Sequence, residues 1–220
     1  MNPFSPLRLR ALLIVPVLAT LLLAGCSVGR VADSPTLFDL GPDSAPATGA
    51  ALPARAPIQL VYSAAPALND SGVVWRVGES ASPRSYATYR WSQPPATLVR
   101  ERLIDRLSRE GPVMSDNAVP AAIQVQITLM RFEQVFATDG QQSEGRIVLQ
   151  AIAVQNRKVL GQLRVAHAVP AATQDAPGGV QALRRATDAA ADEIAAWLAR
   201  TLPPPAVSAT AAADSAARSR

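Results

Sequence analysis

The chain has 220 residues, 17% of them charged and 5% aromatic, with 21 basic and 17 acidic residues for a formal net charge of +4. The bases are almost all arginine, Lys158 being the one lysine, and they are scattered among acids without forming a run, which argues against nucleic acid as a partner. Cys26 is the single cysteine, so no disulfide framework and no cysteine metal site is available, and a hydrophobic core must hold the fold.

The first element is an apolar stretch that follows Arg8 and Arg10, begins at Ala11 and closes on Leu23-Ala24-Gly25-Cys26. A basic start, a short apolar segment and small residues at its end are the parts of a secretory signal peptide. Pro16 breaks the segment, and it falls short of the roughly 20 residues that cross a bilayer. Because the small residues lead straight into the cysteine, the pattern resembles the lipobox of bacterial lipoproteins. That resemblance implies diacylglycerol on the Cys26 thiol, cleavage before it, and an acyl group of the palmitate class on the freed amine. Each buried CH₂ contributes about 0.8 kcal/mol, so several chains on one residue give lasting attachment where a single chain does not. The alternatives are an ordinary cleaved signal peptide, or an uncleaved anchor in which Cys26 is an incidental small residue. Removal of residues 1–25 takes away two arginines and no acid, so the charge falls from +4 to +2 and the mature protein is less basic than its full sequence suggests.

Composition divides the remainder. Residues 26–56 are rich in Pro, Ala, Ser and Gly, which predicts a lipidated N-terminus and flexible tether, interrupted by the strand-like island Thr36-Leu37-Phe38-Asp39-Leu40. The triple proline Pro203-Pro204-Pro205 stops any helix, and the Ala/Ser-rich segment 202–220 has too little apolar bulk to fold alone, so a disordered tail is expected. One folded body over 57–201 is left.

Within it, Ile58 to Tyr62 and Val73 to Val77 are short β-branched runs separated by the turn residues Pro66, Asn69, Asp70 and Gly72. Tyr86 to Trp91 alternates large and small, and Pro94-Pro95 suits the opening of a helix. Val99, Leu103, Ile104 and Leu107 then fall at helical spacing until Gly111-Pro112. Ile123, Val125, Ile127 and Leu129 alternate with polar residues, and the phase shifts at Met130 and Phe132, which suggests a bulge or a stretch buried on both faces. Asp139-Gly140 supplies a turn before a run from Ile147 to Val154. Gln155-Asn156-Arg157-Lys158 joins that run to the alternating segment Val159 to Val169, an antiparallel meander. Pro177-Gly178-Gly179 leads into a last helix whose stripe holds Val180, Leu183, Ala190, Ile194, Trp197, Leu198 and Leu202. This order predicts an α+β fold, a two-layer sandwich of a mainly antiparallel sheet with two main helices packed on one face; the order of the strands is not readable.

Several segments together resemble the ABC-type transport auxiliary lipoproteins, which include the paraquat-inducible protein C-like lipoproteins. They are Phe38-Asp39-Leu40-Gly41-Pro42 after the cysteine, Trp75-Arg76-Val77, Tyr89-Arg90-Trp91-Ser92-Gln93-Pro94-Pro95 before a helix, Phe132-Glu133-Gln134-Val135-Phe136 at a strand end, and a late helix closing near Trp197. The resemblance covers about Cys26 to Leu202; the segment after Leu202 departs from the pattern. It implies a periplasm-facing lipoprotein that serves an ABC transporter with an MCE-domain substrate-binding protein, a system that moves phospholipids or other hydrophobic molecules across the Gram-negative envelope. The chain would be its accessory and docking part, attached to the membrane through acylated Cys26. A homo-oligomer matching an MCE ring is left open.

Chemistry-bearing patterns are sparse. His167 is the only histidine and lies in phase with Val165 and Val169, which favours a core or interface role over a catalytic base. No Gly-x-Ser-x-Gly elbow and no Gly-x-x-x-x-Gly-Lys loop occurs, so the chain is not the ATPase, and no enzymatic activity, cofactor or metal is expected. Asp188 and Asp192, with Arg184 and Arg185 a turn away, read as a solvated ion-pair face rather than a cation site. The residues singled out for contact with a partner or lipid are Tyr86, Tyr89 and Trp91. A period of two places Tyr89 and Trp91 on one face and Tyr86 on the other, with Trp91 the best candidate for the core. Ser27 after the cysteine favours the outer over the inner membrane by analogy with enterobacterial sorting. The competing reading is a general outer-membrane assembly or secretion lipoprotein; a lipid-anchored hydrolase lacks a nucleophile and base that can be paired.

Overall fold

The computed structural model describes residues 34–42, 52–114 and 123–203. The lipobox and Cys26, most of the segment assigned to the tether and nearly all of the C-terminal tail lie outside the described residues.

The organising element is β6 (Ile123–Phe136), long enough at 14 residues for two strands to lie end to end along one of its edges. β2 (Ile58–Ala64) pairs in parallel with the first half, from Ile58 opposite Ile123 to Ala64 opposite Leu129, and carries the short β5 (Val113–Met114) on its outer side. The chain then leaves the edge through a 3₁₀ turn (Pro66–Asn69) and returns as β3 (Gly72–Val77), whose last residues pair in parallel with Gln134 to Phe136. β4 (Arg84–Trp91) runs antiparallel to β3, and β1 (Thr36–Phe38) closes this wing as a parallel edge strand on β4. Along the other edge of β6 lie β7 (Ser143–Gln155) and β8 (Lys158–Pro170), the expected antiparallel meander. Antiparallel pairing accounts for most of the ladder, as expected; the strand order itself is new, and it brings β1 and β4 beside β3.

The local sequence explains these elements. Ile123, Val125, Ile127 and Leu129 are buried; Val125 and Ile127 lie opposite Ala153 and Ala151 of β7, and Gly145 of β7 lies against the α2 backbone at Ala182 and Leu183. The phase change at Met130 is a register shift between Leu129 and Arg131, which turns Phe132 back into the core and leaves Met130 exposed. Asn156 and Arg157 both have positive φ at the β7–β8 turn, the geometry that matches the twist of paired strands, and Asn tolerates it well. Gly140 does the same service between β6 and β7 at φ 71°.

Helix α1 (Pro95–Leu107) opens on Pro94-Pro95 and buries Val99, Leu103 and Leu107. Helix α2 (Ala176–Thr201) buries Leu183, Ala186, Ala190, Ile194 and Leu198. Both lie on one face of the sheet, α2 mainly over β7 and β8 and alongside α1. Two details differ from expectation. The helix begins before Pro177-Gly178-Gly179, because Asp175 caps it by accepting from the Gly178 amide at 2.8 Å. The two glycines are then close-approach positions inside the first turn. A Cβ on Gly178 would run into the Thr173 carbonyl, and one on Gly179 into the Gln134 amide. The second difference concerns Asp188 and Asp192, which do not form a face of their own helix alone. They take Arg102 and Arg106 of α1, so the pairing ties the two helices together, and Arg106 also holds Glu110 at 2.6 Å.

Arg102 is only 4% exposed, and its other nitrogen donates to the carbonyls of Leu40 and Gly41 at 2.8 and 2.7 Å. Arg184 of α2 reaches the next carbonyl, Pro42, at 2.8 Å. The segment after β1 is therefore strapped across the helix pair. Arg55 is buried as well, and its guanidinium donates to the carbonyls of Leu107, Gly111 and Pro112 at the C-terminal end of α1, where the backbone lacks partners and the dipole favours a cation. Residues around β1 and Arg55, which composition assigns to a tether, thus belong to the compact body, whose contacts begin at Pro35.

Candidate functional site

The wing β1–β4–β3 holds Phe38, Trp75, Tyr86, Tyr89 and Trp91, five of the nine aromatic residues among those described. Its geometry comes from a bulge. Trp75 pairs with Arg84 and Val74 with Ser85, but Gly72 pairs with Arg90, so β4 carries three residues more than β3 over the same span. The Arg90 guanidinium stabilises the detour by donating to the carbonyls of Tyr86 and Tyr89 at 2.6 and 3.0 Å. The Asp70 carboxylate fixes the opposite strand through the Gly72 amide at 2.6 Å.

The bulge overrides the period of two. Tyr86 and Tyr89, expected on opposite faces, meet edge to face at 5.9 Å between ring centroids. From Tyr89 the row continues outward to Phe38 of β1, stacked at 5.5 Å, and from Tyr86 inward to Trp75 at 6.1 Å and on to Phe136 at 5.7 Å. Arg84 sits over the Trp75 ring at 5.6 Å, a cation–π contact. All five rings are half-buried, and each such pair contributes about 0.5–1.5 kcal/mol beyond its area. Trp91, the third residue singled out from sequence, is not in this row. It is 2% exposed and packs on Phe132 at 5.4 Å, because it lies opposite Phe38 with its ring turned beneath the wing into the core.

At the inner end of the row is a buried polar node. Gln134 has no exposed surface; its Oε1 accepts from the Tyr86 hydroxyl at 2.9 Å, and its Nε2 donates to Ser143 Oγ at 2.8 Å and to the Asp175 carbonyl at 3.2 Å. One amide thus joins β4, β6, β7 and the cap of α2. Burial first, then the Asp175 charge and the neighbouring Tyr89, pushes the Tyr86 phenol up to about 12, so it stays a neutral donor throughout the physiological range. The hydroxyl of Thr173, and after it the Gly178 amide, hold the Asp175 carboxyl below its usual range.

Beside the node a groove of about 420 Å³ is lined by Trp75, Val77, Tyr86, Phe136, Thr138 and Gln174. A second, of about 660 Å³, continues past Phe136 toward Ser143, Arg146 and Pro170. Arg146 there pairs with Glu144 and, at 2.9 Å, with Glu79, and Arg76 pairs with buried Glu133 at 2.6 Å. His167 meets Glu193 of α2 at 2.8 Å and keeps 30% of its side chain exposed, so it does not lie in the core. Among the described residues no group of His, Cys, Asp and Glu is placed to hold a metal ion, and no helix is long and apolar enough to cross a membrane. The site is a row of half-buried aromatic rings packed against the core and joined at its inner end to a hydrogen-bonded node. Sequence reasoning found Tyr86 and Tyr89 but missed Phe38, Trp75, Phe136 and Gln134 as their partners. Those residues come from three strands, β1, β3 and β6, and only the strand order brings them beside β4.

The described residues form an α+β sandwich whose wing carries a row of half-buried aromatic rings. The profile of the ABC-type transport auxiliary lipoprotein component matches residues 38–195, and the chain belongs to that family. No curated protein matches the chain significantly. The solved structure of protein XCC0632 from Xanthomonas campestris is similar with a TM-score of 0.64 at 17% identity, covering 76% of this chain and 96% of that one. The structure of an uncharacterized protein is similar with a TM-score of 0.59 at 14% identity, covering 76% and 99%. At these identities the likeness shows the fold. Family membership makes the chain a lipoprotein component of ABC-type transport.

Proposed function

We propose that the chain is a non-enzymatic accessory of an ABC transporter that works with an MCE-domain protein to move phospholipids or other hydrophobic molecules across a Gram-negative envelope. Acyl groups on Cys26 attach it to a membrane, the outer membrane being favoured, with its body facing the periplasm. Tyr86 and Tyr89 belong to its contact surface.

The observation that carries this reading is the family match over 38–195, which takes in α1, β3, β4, the whole meander and most of α2. Two features support it. The lipobox pattern lies ahead of the matched region, and the segment just after the first strand is tied to the body through Arg102 and Arg184, so an acylated Cys26 is coupled to the fold by a short lead. The second feature is chemical. The wing presents aromatic and arginine side chains, the residue types enriched where proteins bind each other or lie at a membrane interface.

The test is affinity purification of the full chain from membranes solubilised in mild detergent, with mass spectrometry of the proteins retained. An MCE-domain protein and transporter subunits are expected. Recovery of outer-membrane assembly or secretion proteins in their place would contradict the proposal.

A further inference from the structure

We propose that the β1 edge of the wing, formed by Leu37, Phe38 and Tyr89, seats in the interfacial layer of the bilayer to which the chain is anchored. This rests on the reading of Cys26 as acylated and adds to it the face that the body turns toward the lipid.

Chain length gives the first argument. Thr36 is the tenth residue after Cys26. Ten residues span at most about 35 Å. A body of this size is roughly 40 Å across, so β1 is the element whose distance from Cys26 the chain itself limits most tightly. The attachment is also firm on the protein side. Beyond β1 the chain is fixed at once by the Arg102 and Arg184 contacts to Leu40, Gly41 and Pro42, so the body cannot drift from the bilayer by unpeeling this segment.

Side-chain chemistry gives the second argument. Leu37 is 61% exposed, one of the two most exposed large apolar residues described, on a strand only three residues long. Phe38 projects to the other side of the same strand, where it is half-buried against the core and stacks on Tyr89, whose row runs back to Tyr86 and Trp75. An edge with apolar residues on both sides, backed by Tyr and Trp, has the composition of a membrane-interface belt. The depth is limited by the backbone. β1 has a free edge, and unpaired N–H and C=O groups are not tolerated in hydrocarbon, so the seat is the headgroup layer where water still reaches the strand. The opposite edge of the sheet, at β8, also exposes a large apolar residue, Val159 at 65%, but no short lead to an anchor joins it. That edge serves as the control.

The single cysteine makes a clean experiment possible. Acylation blocks the Cys26 thiol, so Leu37→Cys and Val159→Cys each create one labelling site in the full acylated chain. Both variants are labelled with an environment-sensitive nitrobenzoxadiazole dye and reconstituted into vesicles of phosphatidylethanolamine and phosphatidylglycerol. The vesicles are made with and without headgroup-nitroxide lipid and are isolated by flotation. The expected result is a blue shift and loss of most of the emission at position 37 on adding nitroxide lipid, with little change at position 159. Equal quenching at the two positions, or none at 37 while the protein floats with the vesicles, overturns the proposal and leaves the anchor intact. A change at 37 that needs membranes containing the transporter overturns it in favour of a protein partner at this edge. Failure of the chain to float overturns the anchor reading, and the proposal with it.

Discussion

Replacing Arg102 by methionine tests how the lead from the anchor is fixed to the body. Methionine keeps much of the aliphatic stem, which packs in the interior, and removes only the guanidinium. The guanidinium makes an ion pair with Asp188 and donates to the carbonyls of Leu40 and Gly41 at 2.8 and 2.7 Å. Asp188 retains access to water at 22% side-chain exposure, so its loss is partly compensated. The Leu40 carbonyl belongs to a residue 4% exposed and is left without its donor. A hydrogen bond to a charged group contributes about 1.5–3 kcal/mol, and a stranded buried acceptor costs about 1–3 kcal/mol. The contributions overlap, and a loss of about 3 kcal/mol is expected. For a body of this size that lowers the melting temperature by about 6–12 °C. Arg102→Lys should fall between the two, since an ammonium reaches one or two of the three acceptors but not all at once. Circular dichroism melts give the magnitude, and hydrogen exchange gives the location: amides of β1 and its strap should exchange faster while those of β6 and β7 stay protected. A methionine variant that melts within about 1 °C of the parent, or that keeps the protection of residues 36–42, would refute the reasoning.

Gly145→Ala places a Cβ against the α2 backbone at Ala182 and Leu183, where nothing flexible can give way, so urea unfolding should show a loss of about 1–3 kcal/mol; an unchanged midpoint would mean that α2 does not lie that close to β7. Asp175→Ala removes the cap of α2 and should cost about 1 kcal/mol near neutral pH. Because Asp175 has a depressed folded-state pKa, the stability it contributes is present above the unfolded value of about 3.9 and is lost as pH falls through the folded value. The gap between parent and variant should therefore narrow in urea melts as pH falls below the unfolded value. A gap that is constant from neutral to acidic pH would show that the carboxylate is not the cap.

The fold was legible where periodicity is strong and local. The alternation of Ile123 to Leu129, the phase change at Met130 and the helical stripe from Val180 to Leu198 each reported an element and the face it buries. Strand order was not legible, because the two halves of the β6 edge are filled by β2 and β3 through non-local parallel pairing that leaves no mark on either strand's pattern. Half of the site followed the same divide. Tyr86 and Tyr89 stood out as neighbours in sequence, but their shared face depends on a bulge set by the registers of Gly72 and Val74. Gln134 looked like an ordinary strand residue, and only the tight approach of Gly179 and the cap of α2 make it a node. The partners of Asp188 and Asp192 were similarly hidden, since Arg102 and Arg106 lie more than 80 positions away in sequence.

The account depends most on the attachment of this body to a membrane through Cys26. Intact-mass analysis of the full chain, expressed in a Gram-negative host and extracted from its membrane fraction, tests that most directly. The account predicts a polypeptide that begins at Cys26 and carries a diacylglyceryl group on sulfur with a further acyl group on its amine. A chain that retains residues 1–25, or one cleaved to leave Cys26 with a free thiol, would contradict it.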